Sequence, residues 1–451
     1  MQGRRFVTSD ALPLPPRPNL EQYKKLAKDL QDARQSGNPV AIRQWATRWL
    51  ETLARLQGEA SSLTPPERER EAKHIELRWN KQKHTADQSD ASWTLASAQF
   101  FIAREHGFAS WPKFAQHFHE LARANSVVSA FEAAADAIVS GDLPVLRRLL
   151  AEQSGLARER STRAHRSTLL HYVSANGVED FRQKTPKNII EITNLLLDAG
   201  ADVDAESDAY GGGCTTLGLV ATSIHPERAG VQIALLQTLL DRGAQLQQPS
   251  AGGNQQSIVH ACIANGQPKA ASFLADLGAR VDLESAAALG RIAVVQELLD
   301  KSREPRQMQA KQMESAFRYA CGYDSRAVAE FLLYRGIDPA AHDKDGRTAL
   351  HWSCYGPHIE IIRLLLERGT SVDVKDKPFQ STAMDVVLWT WDNTADKAAR
   401  ERCYEAIALL ARAGAKLDPN QWRDPDEEHA VMLERVSSDP RMMAALRGVE
   451  P

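Results

Sequence analysis

Histidine is the residue type whose spacing most suggests chemistry in this 451-residue chain. His171, His260 and His351 recur inside similar apolar stretches, and His117 and His119 lie two residues apart. An imidazole can ligate a metal or move a proton near neutral pH, but a metal needs ligands that converge on one point. Residues two apart on a helix point to different sides, so His117 and His119 make a poor chelate. We therefore predict no metal site and no catalytic histidine.

Thiols and glycine-rich turns are the next candidates for chemistry. The five cysteines include no Cys-x-x-Cys pair, and their odd number argues for a reducing compartment such as the cytoplasm. Cys262, Cys321 and Cys354 are expected to pack as small hydrophobic side chains. The clusters Gly211–Gly213 and Gly252–Gly253 lack the Gly-Lys-Ser/Thr of a phosphate loop, so we interpret them as turns. We predict no cofactor and no enzymatic activity.

The elements that position these residues form a repeated helical unit, which is clearest in residues 346–373. There Thr348 opens a short helix, Gly356 and Pro357 break it, and a second apolar helix ends at Gly369. A glycine is needed where a helix ends in a left-handed residue, because a Cβ there costs about 1 kcal/mol. The interval of twelve residues from Pro357 to Gly369 recurs along the chain. It separates Gly141 from Gln153, Gly266 from Gly278, Gly290 from Ser302, and Asp324 from Gly336.

The segments Thr348–His351 and Leu364–Leu366 resemble the ankyrin repeat, a unit of about 33 residues. One such unit cannot bury its own apolar face, so several must stack. The resemblance implies an all-α solenoid of helix–turn–helix–hairpin units. We predict about eight of these units over residues 126–418.

The predicted units are uneven in length. Three of them contain extra residues between their two helices, and one junction has lost most of its hairpin. The extra residues are 180–190, 224–230 and 391–402, and the shortened hairpin lies within Val281–Gly290. The resemblance also implies that His171, His260 and His351 bridge turns by hydrogen bonds, and that the three cysteines named above occupy small-residue positions.

The segments on either side of the repeats have other compositions. We predict a flexible basic and proline-rich arm at 1–18, an N-terminal helical domain at 19–125, and C-terminal capping helices at 419–451. The stretch Ala98–Trp111 resembles a leader found ahead of ankyrin arrays in many bacterial proteins, and this resemblance implies no known chemistry. Because no evident linker follows, the helical domain could dock on the first repeat and bury Ala130, Phe131 and Ala134.

Composition argues against a membrane protein and leaves one charge asymmetry. The chain is 43% hydrophobic with a mean hydropathy of −0.40, and no apolar run approaches the ~20 residues of a membrane span. The net charge is −3, yet Met1 to Lys83 carries sixteen Lys/Arg against ten Asp/Glu, a net +6. Alternating signs, as in Glu67–Glu71, indicate a solvated helix with local ion pairs rather than an arm that binds nucleic acid.

Residues that packing does not need are free to recognise a partner. In ankyrin arrays the concave side is built from hairpin tips and from the exposed faces of the first helices. Tyr and Arg are frequent at interface hot spots, which makes Tyr323, Arg347 and Tyr355 the strongest candidates. The predicted partner-binding residues are Lys344, Asp345, Arg347, Tyr355, Tyr323, Asn254, Gln256 and Asn265. A second candidate surface is the last insertion, where Trp389 and Trp391 lie near a predicted loop, although both could equally pack that insertion onto the array.

These observations predict a non-catalytic protein–protein interaction module, an adaptor or scaffold in the cytoplasm of a bacterium. Its expected partner is a protein. Two alternatives remain open: an enzyme that acts through the N-terminal helical domain, with His106, His117 or His119 as candidates, and a nucleic-acid-binding protein that uses residues 1–83. Membrane association is not expected, and a monomer is compatible with the sequence.

Overall fold

The protein is almost entirely helical, as the sequence predicts. The computed structural model describes residues 11–15, 18–57, 64–85, 94–123, 125–246, 256–302, 306–417 and 427–449. Over these residues the strands amount to one antiparallel pair of two residues each. The chain divides into two compact units, Met1–Gln256 and Ser257–Pro451. Among the described residues, no helix is long and apolar enough to cross a membrane.

Five helices open the first unit and enclose an aromatic core. They are α1 (Leu20–Gln35), α2 (Ala41–Gln57), α3 (Pro65–Thr85), α4 (Leu95–Glu105) and α5 (Trp111–Leu121). The Asn19 side chain accepts a hydrogen bond from the Glu21 amide and starts α1, and the Ser110 hydroxyl does the same for Lys113 in α5. Rings fill the interior at edge-to-face distances, such as 5.2 Å between the centroids of Tyr23 and Phe114.

The rest of the first unit forms three helix pairs. Its elements are α6 (Val127–Ser140), α7 (Leu143–Glu152), α8 (Ile189–Asp198), β1 (Glu206–Ser207), β2 (Cys214–Thr215), α9 (Thr216–Ala221), α10 (Ile224–Arg228) and α11 (Gln232–Asp241), with 3₁₀ segments at Leu156–Arg158, Leu169–Ser174, Asp180–Arg182 and Ala209–Gly211. The first members of the pairs are α6, the 3₁₀ segment Leu169–Ser174 and α9, which contact one another in that order. Such neighbour-to-neighbour packing is what a solenoid requires.

The leader helices α1–α5 dock on the first pair. Helix α5 contacts α6, and Ala130, Phe131 and Ala134 of α6 are buried, as the docked arrangement predicts. The irregular segment after α7 also contacts the leader, since the Ala164 amide donates a hydrogen bond to the Gly107 carbonyl at 2.8 Å.

A buried network of charges lies at this junction. Glu132 of α6 contacts Arg163 at 2.5 Å and Arg182 at 2.8 Å. Glu179 is 2.9 Å from Arg163 and 3.5 Å from Arg182, and Asp136 is 2.8 Å from Arg182. Both guanidiniums and the Glu179 carboxylate are almost wholly removed from water. Each charge must therefore be balanced by the others, because solvent is not there to do it.

The second unit contains five helix pairs and two closing helices. The pairs are α12 (Ile258–Ala264) with α13 (Pro268–Asp276), α14 (Leu283–Ala288) with α15 (Ile292–Lys301), α16 (Arg306–Gly322) with α17 (Arg326–Tyr334), α18 (Ala349–Tyr355) with α19 (Ile359–Glu367), and α20 (Ala383–Asn393) with α21 (Lys397–Arg412); α22 (Glu427–Ser438) and α23 (Pro440–Ala445) follow. The first helices of the pairs contact each other in sequence, and one apolar cluster runs from Leu283 to Ala445. Packing of this kind confirms the expected all-α repeat solenoid.

The hairpins between pairs are uneven, as expected. Full hairpins precede α18 and α20, and the isolated bridge between His342 and Thr348 closes the first of them. Only residues 277–282 separate α13 from α14. At the next junction α15 ends at Lys301, and the following helix, α16, begins at Arg306 and has 17 residues.

The three insertions adopt regular structure. The first contains the 3₁₀ segment Asp180–Arg182, and the second forms α10. The third lengthens α20 and α21, so Trp389 and Trp391 lie at the end of a helix that finishes at Asn393, next to residues 394–396 between the two helices. Trp391 is buried against Tyr404, whereas Trp389 is exposed. The two tryptophans therefore have different roles, which the sequence did not separate.

Candidate protein-binding face

Two of the three recurring histidines have structural roles. His351 Nδ1 lies 2.9 Å from the Thr348 hydroxyl and accepts a hydrogen bond from the Thr348 amide at 3.2 Å. His351 Nε2 is 3.1 Å from the Ser381 carbonyl in the next hairpin. His171 makes the same bonds, to Thr168 and to the Cys214 carbonyl. These rings bridge turns, as the resemblance implied.

Burial disfavours the charged form of both rings. It lowers the pKa of His171 to about 4 and lowers the pKa of His351 as well. In the following repeat the carboxylate of Asp385 takes the place of the ring and bonds the Thr382 amide at 2.7 Å. An anionic oxygen can replace an imidazole nitrogen here because both serve as the acceptor of a helix-capping bond.

Arg347 is not a free surface residue, contrary to the expectation for this position. Its side chain is only 5% exposed and contacts Asp376 at 3.3 Å. Asp376 also accepts hydrogen bonds from the Phe379 and Ser381 amides of its own hairpin. The guanidinium thus ties two successive hairpins together, which is a packing role.

Tyr355 is available to a partner. It stands at the end of α18 with 43% of its surface exposed, and its ring lies 6.5 Å from that of Trp389, which is 46% exposed. Lys344 is exposed on the hairpin before α18, and Asp345 is partly exposed beside it. Lys377 of the next hairpin donates a hydrogen bond to the Lys344 carbonyl at 2.9 Å. We call Tyr355 and Trp389 the aromatic pair.

The remaining predicted residues are less prominent. Tyr323 is half-buried, and its hydroxyl donates a hydrogen bond to the Ile263 carbonyl, while burial raises its pKa to about 12. Asn265 is exposed and bonds the Ala261 carbonyl of its own helix. Gln256 is exposed at the end of the first unit. Asn254 lies outside the described residues.

Trp389 is the surface residue that sequence reasoning misplaced. Thr348 and Thr382 begin equivalent helices, and Tyr355 and Trp389 each follow by seven residues. Counting from the capping threonine would therefore have assigned Trp389 to the same face as Tyr355. The prediction instead treated Trp389 as part of an insertion, because the insertion was counted from the break between helices.

His260 differs from the other two recurring histidines. Its Nδ1 lies 2.8 Å from the Asp282 carboxylate, which caps α14, and Glu284 of the same helix completes a cluster whose ligand atoms all lie within 4.8 Å of one another. Burial acts to lower the pKa of His260, but the hydrogen bond and charge of Asp282 outweigh it, so the net pKa is raised. The sequence analysis expected only a turn-bridging role for this ring.

Of the three candidates for an enzymatic site in the leader, His106 and His117 are buried and His119 is exposed. His106 is enclosed by Tyr23, Trp49 and Phe114, its Nδ1 lies 2.9 Å from the Leu12 carbonyl, and burial lowers its pKa to about 3. His117 is also buried, with Nδ1 2.8 Å from the Thr162 hydroxyl. Both rings hold the leader's core and its junction with the repeats.

Ion pairs neutralise part of the positive charge of the leader. Arg78 contacts Glu71 at 2.7 Å and Glu105 at 2.6 Å, and Arg43 contacts Glu76 at 2.7 Å. These pairs agree with the interpretation of alternating charges as local salt bridges.

The cysteines named in the sequence analysis behave as apolar side chains. Cys262, Cys321 and Cys354 are buried free thiols. Burial raises the pKa of Cys262 to about 12 and raises those of the other two, so little thiolate exists near neutral pH.

Comparisons with known proteins agree with this architecture. A family model described as ankyrin repeats (3 copies) matches residues 283–376. One relative, the 26S proteasome non-ATPase regulatory subunit 10 of Rattus norvegicus, is 53% identical over 34 residues, which are 8% of this chain and 15% of the relative. The alignment thus spans well under a fifth of the relative's length. Residues 283–376 consist of ankyrin repeats, and such repeats indicate a protein–protein interaction module.

Proposed function

We propose that the protein is a non-catalytic adaptor that binds a partner protein through the concave face of its second unit, with the aromatic pair as the anchor. The observation that carries this proposal is the exposure of Tyr355 and Trp389 at the same position of α18 and α20, the first helices of two consecutive pairs. Exposure of large aromatic side chains to water is unfavourable, and folding does not require two of them to lie together at a surface.

The surroundings of the pair fit a docking site. Lys344 is exposed and Asp345 is partly exposed on the hairpin before α18, so this repeat offers polar as well as aromatic contacts, a combination usual for interfaces. The hairpins are held rigid by Arg347 and Asp376, so little conformational entropy is lost when a partner docks. We assign Arg347 a supporting role and retain Lys344, Asp345 and Tyr355 as contact residues. Tyr323, Asn265, Gln256 and Asn254 stay predictions.

A cytoplasmic location and a bacterial source remain part of this proposal. All five cysteines are free thiols, which fits a reducing compartment. Residues 19–125 would serve as the helical domain that covers the first repeat, after a flexible arm at 1–18, and residues 419–451 as the closing cap. Contacts of α5 with α6 and of α23 with α21 support these assignments.

The test compares capture of proteins by three versions of the full chain. They are the native sequence, the double variant Tyr355→Ala/Trp389→Ala, and the control Tyr334→Ala, whose ring on α17 is 88% exposed and belongs to a second helix of a pair. Each version is first shown to unfold at the same temperature. Proteins captured from a bacterial lysate are quantified by mass spectrometry, and affinities are then measured with the purified partner.

The expected result is a partner that the native chain and the Tyr334 variant hold equally and the double variant releases. Losing a single hot-spot aromatic of about 2 kcal/mol raises the dissociation constant ~30-fold, so the double variant should bind more weakly by at least that factor. Equal affinity for all three versions would refute the concave face as the binding surface.

A further inference from the structure

His260, Asp282 and Glu284 form a cluster that the proposed adaptor function does not use. One imidazole nitrogen and two carboxylate oxygens lie within 4.8 Å of one another, on α12 and at the start of α14. We propose that these three side chains bind a divalent transition-metal ion of the Zn²⁺ class. The proposal is independent of the aromatic pair and of any partner.

The shortened hairpin explains why these residues meet. In the repeat that has a full hairpin, the ring of His351 lies within hydrogen-bond distance of the Ser381 carbonyl in the next hairpin. His260 lies on α12, the first helix of one pair, and Asp282 and Glu284 lie at the start of α14, the first helix of the next pair. Because only residues 277–282 join α13 to α14, a carboxylate takes the place of the missing hairpin carbonyl beside His260. Two consecutive repeats thus contribute donors to one point.

Two of the three donors are already held in place. The Asp282 Oδ1 atom accepts the Ser285 amide at 2.9 Å, which leaves Oδ2 directed at His260 Nδ1. The Ser257 hydroxyl accepts the His260 amide at 3.1 Å and fixes the start of α12. Preorganised ligands lower the conformational entropy that a metal must overcome on binding.

The spacing suits a small cation. Metal–ligand bonds of about 2.0 Å in a tetrahedron place neighbouring ligand atoms about 3.3 Å apart. His260 Nδ1 and Asp282 Oδ2 are 2.8 Å apart, and a carboxylate oxygen of the partly exposed Glu284 lies within 4.8 Å of both. Water would complete the coordination.

The donor set also selects the metal. One imidazole and two carboxylates suit Zn²⁺, Fe²⁺, Mn²⁺ or Ni²⁺, whereas Ca²⁺ and Mg²⁺ prefer oxygen ligands alone. The positive charge of Arg318 on α16 interacts with Glu284, although less than with Asp343 and Glu314. Removing this charge should therefore strengthen metal binding.

The experiment measures binding of Zn²⁺ to the intact chain by isothermal titration calorimetry, with the visible absorption of Co²⁺ as a second readout. The test variants are Glu284→Gln and His260→Gln, which keep side-chain size and remove one donor each. The matched control is His342→Gln, an exposed histidine on a hairpin. Arg318→Gln tests the competing charge.

We expect one Zn²⁺ per chain with micromolar affinity in the native protein and the control, and weaker binding of Mg²⁺ and Ca²⁺. Each test variant should weaken Zn²⁺ binding at least tenfold, and Arg318→Gln should tighten it. Co²⁺ should give a tetrahedral or five-coordinate spectrum that both test variants lose. Equal binding by the native chain and the two test variants would show adventitious binding to other histidines and overturn the proposal, as would the absence of binding at 100 μM Zn²⁺.

Discussion

Replacing Glu179 by glutamine should strongly destabilise the junction between the leader helices and the first repeats. Glu179 is completely buried and lies 2.9 Å from Arg163 and 3.5 Å from Arg182. The amide of glutamine keeps the shape of the side chain but not its charge. Two buried guanidiniums would then depend on Glu132 and on the more exposed Asp136.

The magnitude follows from the cost of leaving a buried charge without its partner. Removing one member of a buried ion pair costs about 3–5 kcal/mol. An exposed pair contributes less than about 1 kcal/mol, so Glu152→Gln, which breaks the exposed contact of Glu152 with Arg148 at 3.3 Å, is the matched control. The two substitutions make the same chemical change, at a buried carboxylate with two arginine partners and at an exposed carboxylate with one.

Hydrogen exchange measured by mass spectrometry is the appropriate assay, because a chain with two compact units need not unfold in one step. Amides in α6 and in the segment Leu169–Ser174 report on the junction. A loss of 3–5 kcal/mol accelerates their exchange roughly a hundred- to a few-thousand-fold. The double variant Arg163→Met/Glu179→Leu should recover much of this loss, since it removes a charge of each sign.

Two results would refute the reasoning. An acceleration below about fivefold in Glu179→Gln would mean that the network contributes little to the junction. A similar effect in Glu152→Gln would mean that loss of charge, and not burial, is responsible.

Three further predictions follow from local geometry. His351→Ala removes an acceptor from the Thr348 capping box and should lower the free energy of unfolding by about 2–4 kcal/mol in thermal melts, whereas His342→Ala should leave it unchanged within about 0.5 kcal/mol. Gly141→Ala should lower the free energy of unfolding by more than Gly278→Ala, for which a loss of about 1 kcal/mol is expected. Both glycines have a positive φ. An added Cβ at Gly141 would approach other side chains to within 2.8 Å, whereas an added Cβ at Gly278 would have no neighbour within 4 Å. Burial opposes ionisation of Glu132, but Arg163 and Arg182 outweigh it and lower its pKa from 4.5 to about 2. The contribution of this carboxylate to stability is therefore complete above about pH 4.5 and is lost as the pH falls towards 2. In urea unfolding at several pH values, the free energy of unfolding of Glu132→Gln should fall less with acidification than that of the native chain.

The solenoid could be predicted because its signals are local. Thr348, Gly356 and Gly369 act within a few residues of their own position, so capping and helix termination can be read directly from the chain. Repetition of these signals at a fixed interval then indicates stacking, since one unit cannot bury its own apolar face. The same argument predicted the shortened hairpin near Val281.

The environment of individual side chains was harder to predict, because it depends on residues far apart in sequence. Arg347 is buried by Asp376, which follows it by 29 residues in the next hairpin. Glu132 and Glu179 meet two arginines in an irregular segment that has no periodicity to place them. Long-range contacts of this kind leave no local sequence signal.

Departures from the repeat pattern are where this chain can acquire a specific role. In regular positions such as His351, the residue type follows from capping and packing, so it says little about a partner. Stacking of the helices does not require the exposed ring of Trp389, because a smaller residue would serve there. It does not require the carboxylate of Asp282 either, because another capping residue could start α14. A regular array would dispense with the exposed ring and with the second carboxylate of Glu284 beside His260 at no cost in stability. Selection for stability alone does not account for them, and this is why the aromatic pair and the three-residue cluster are the positions at which binding should be sought.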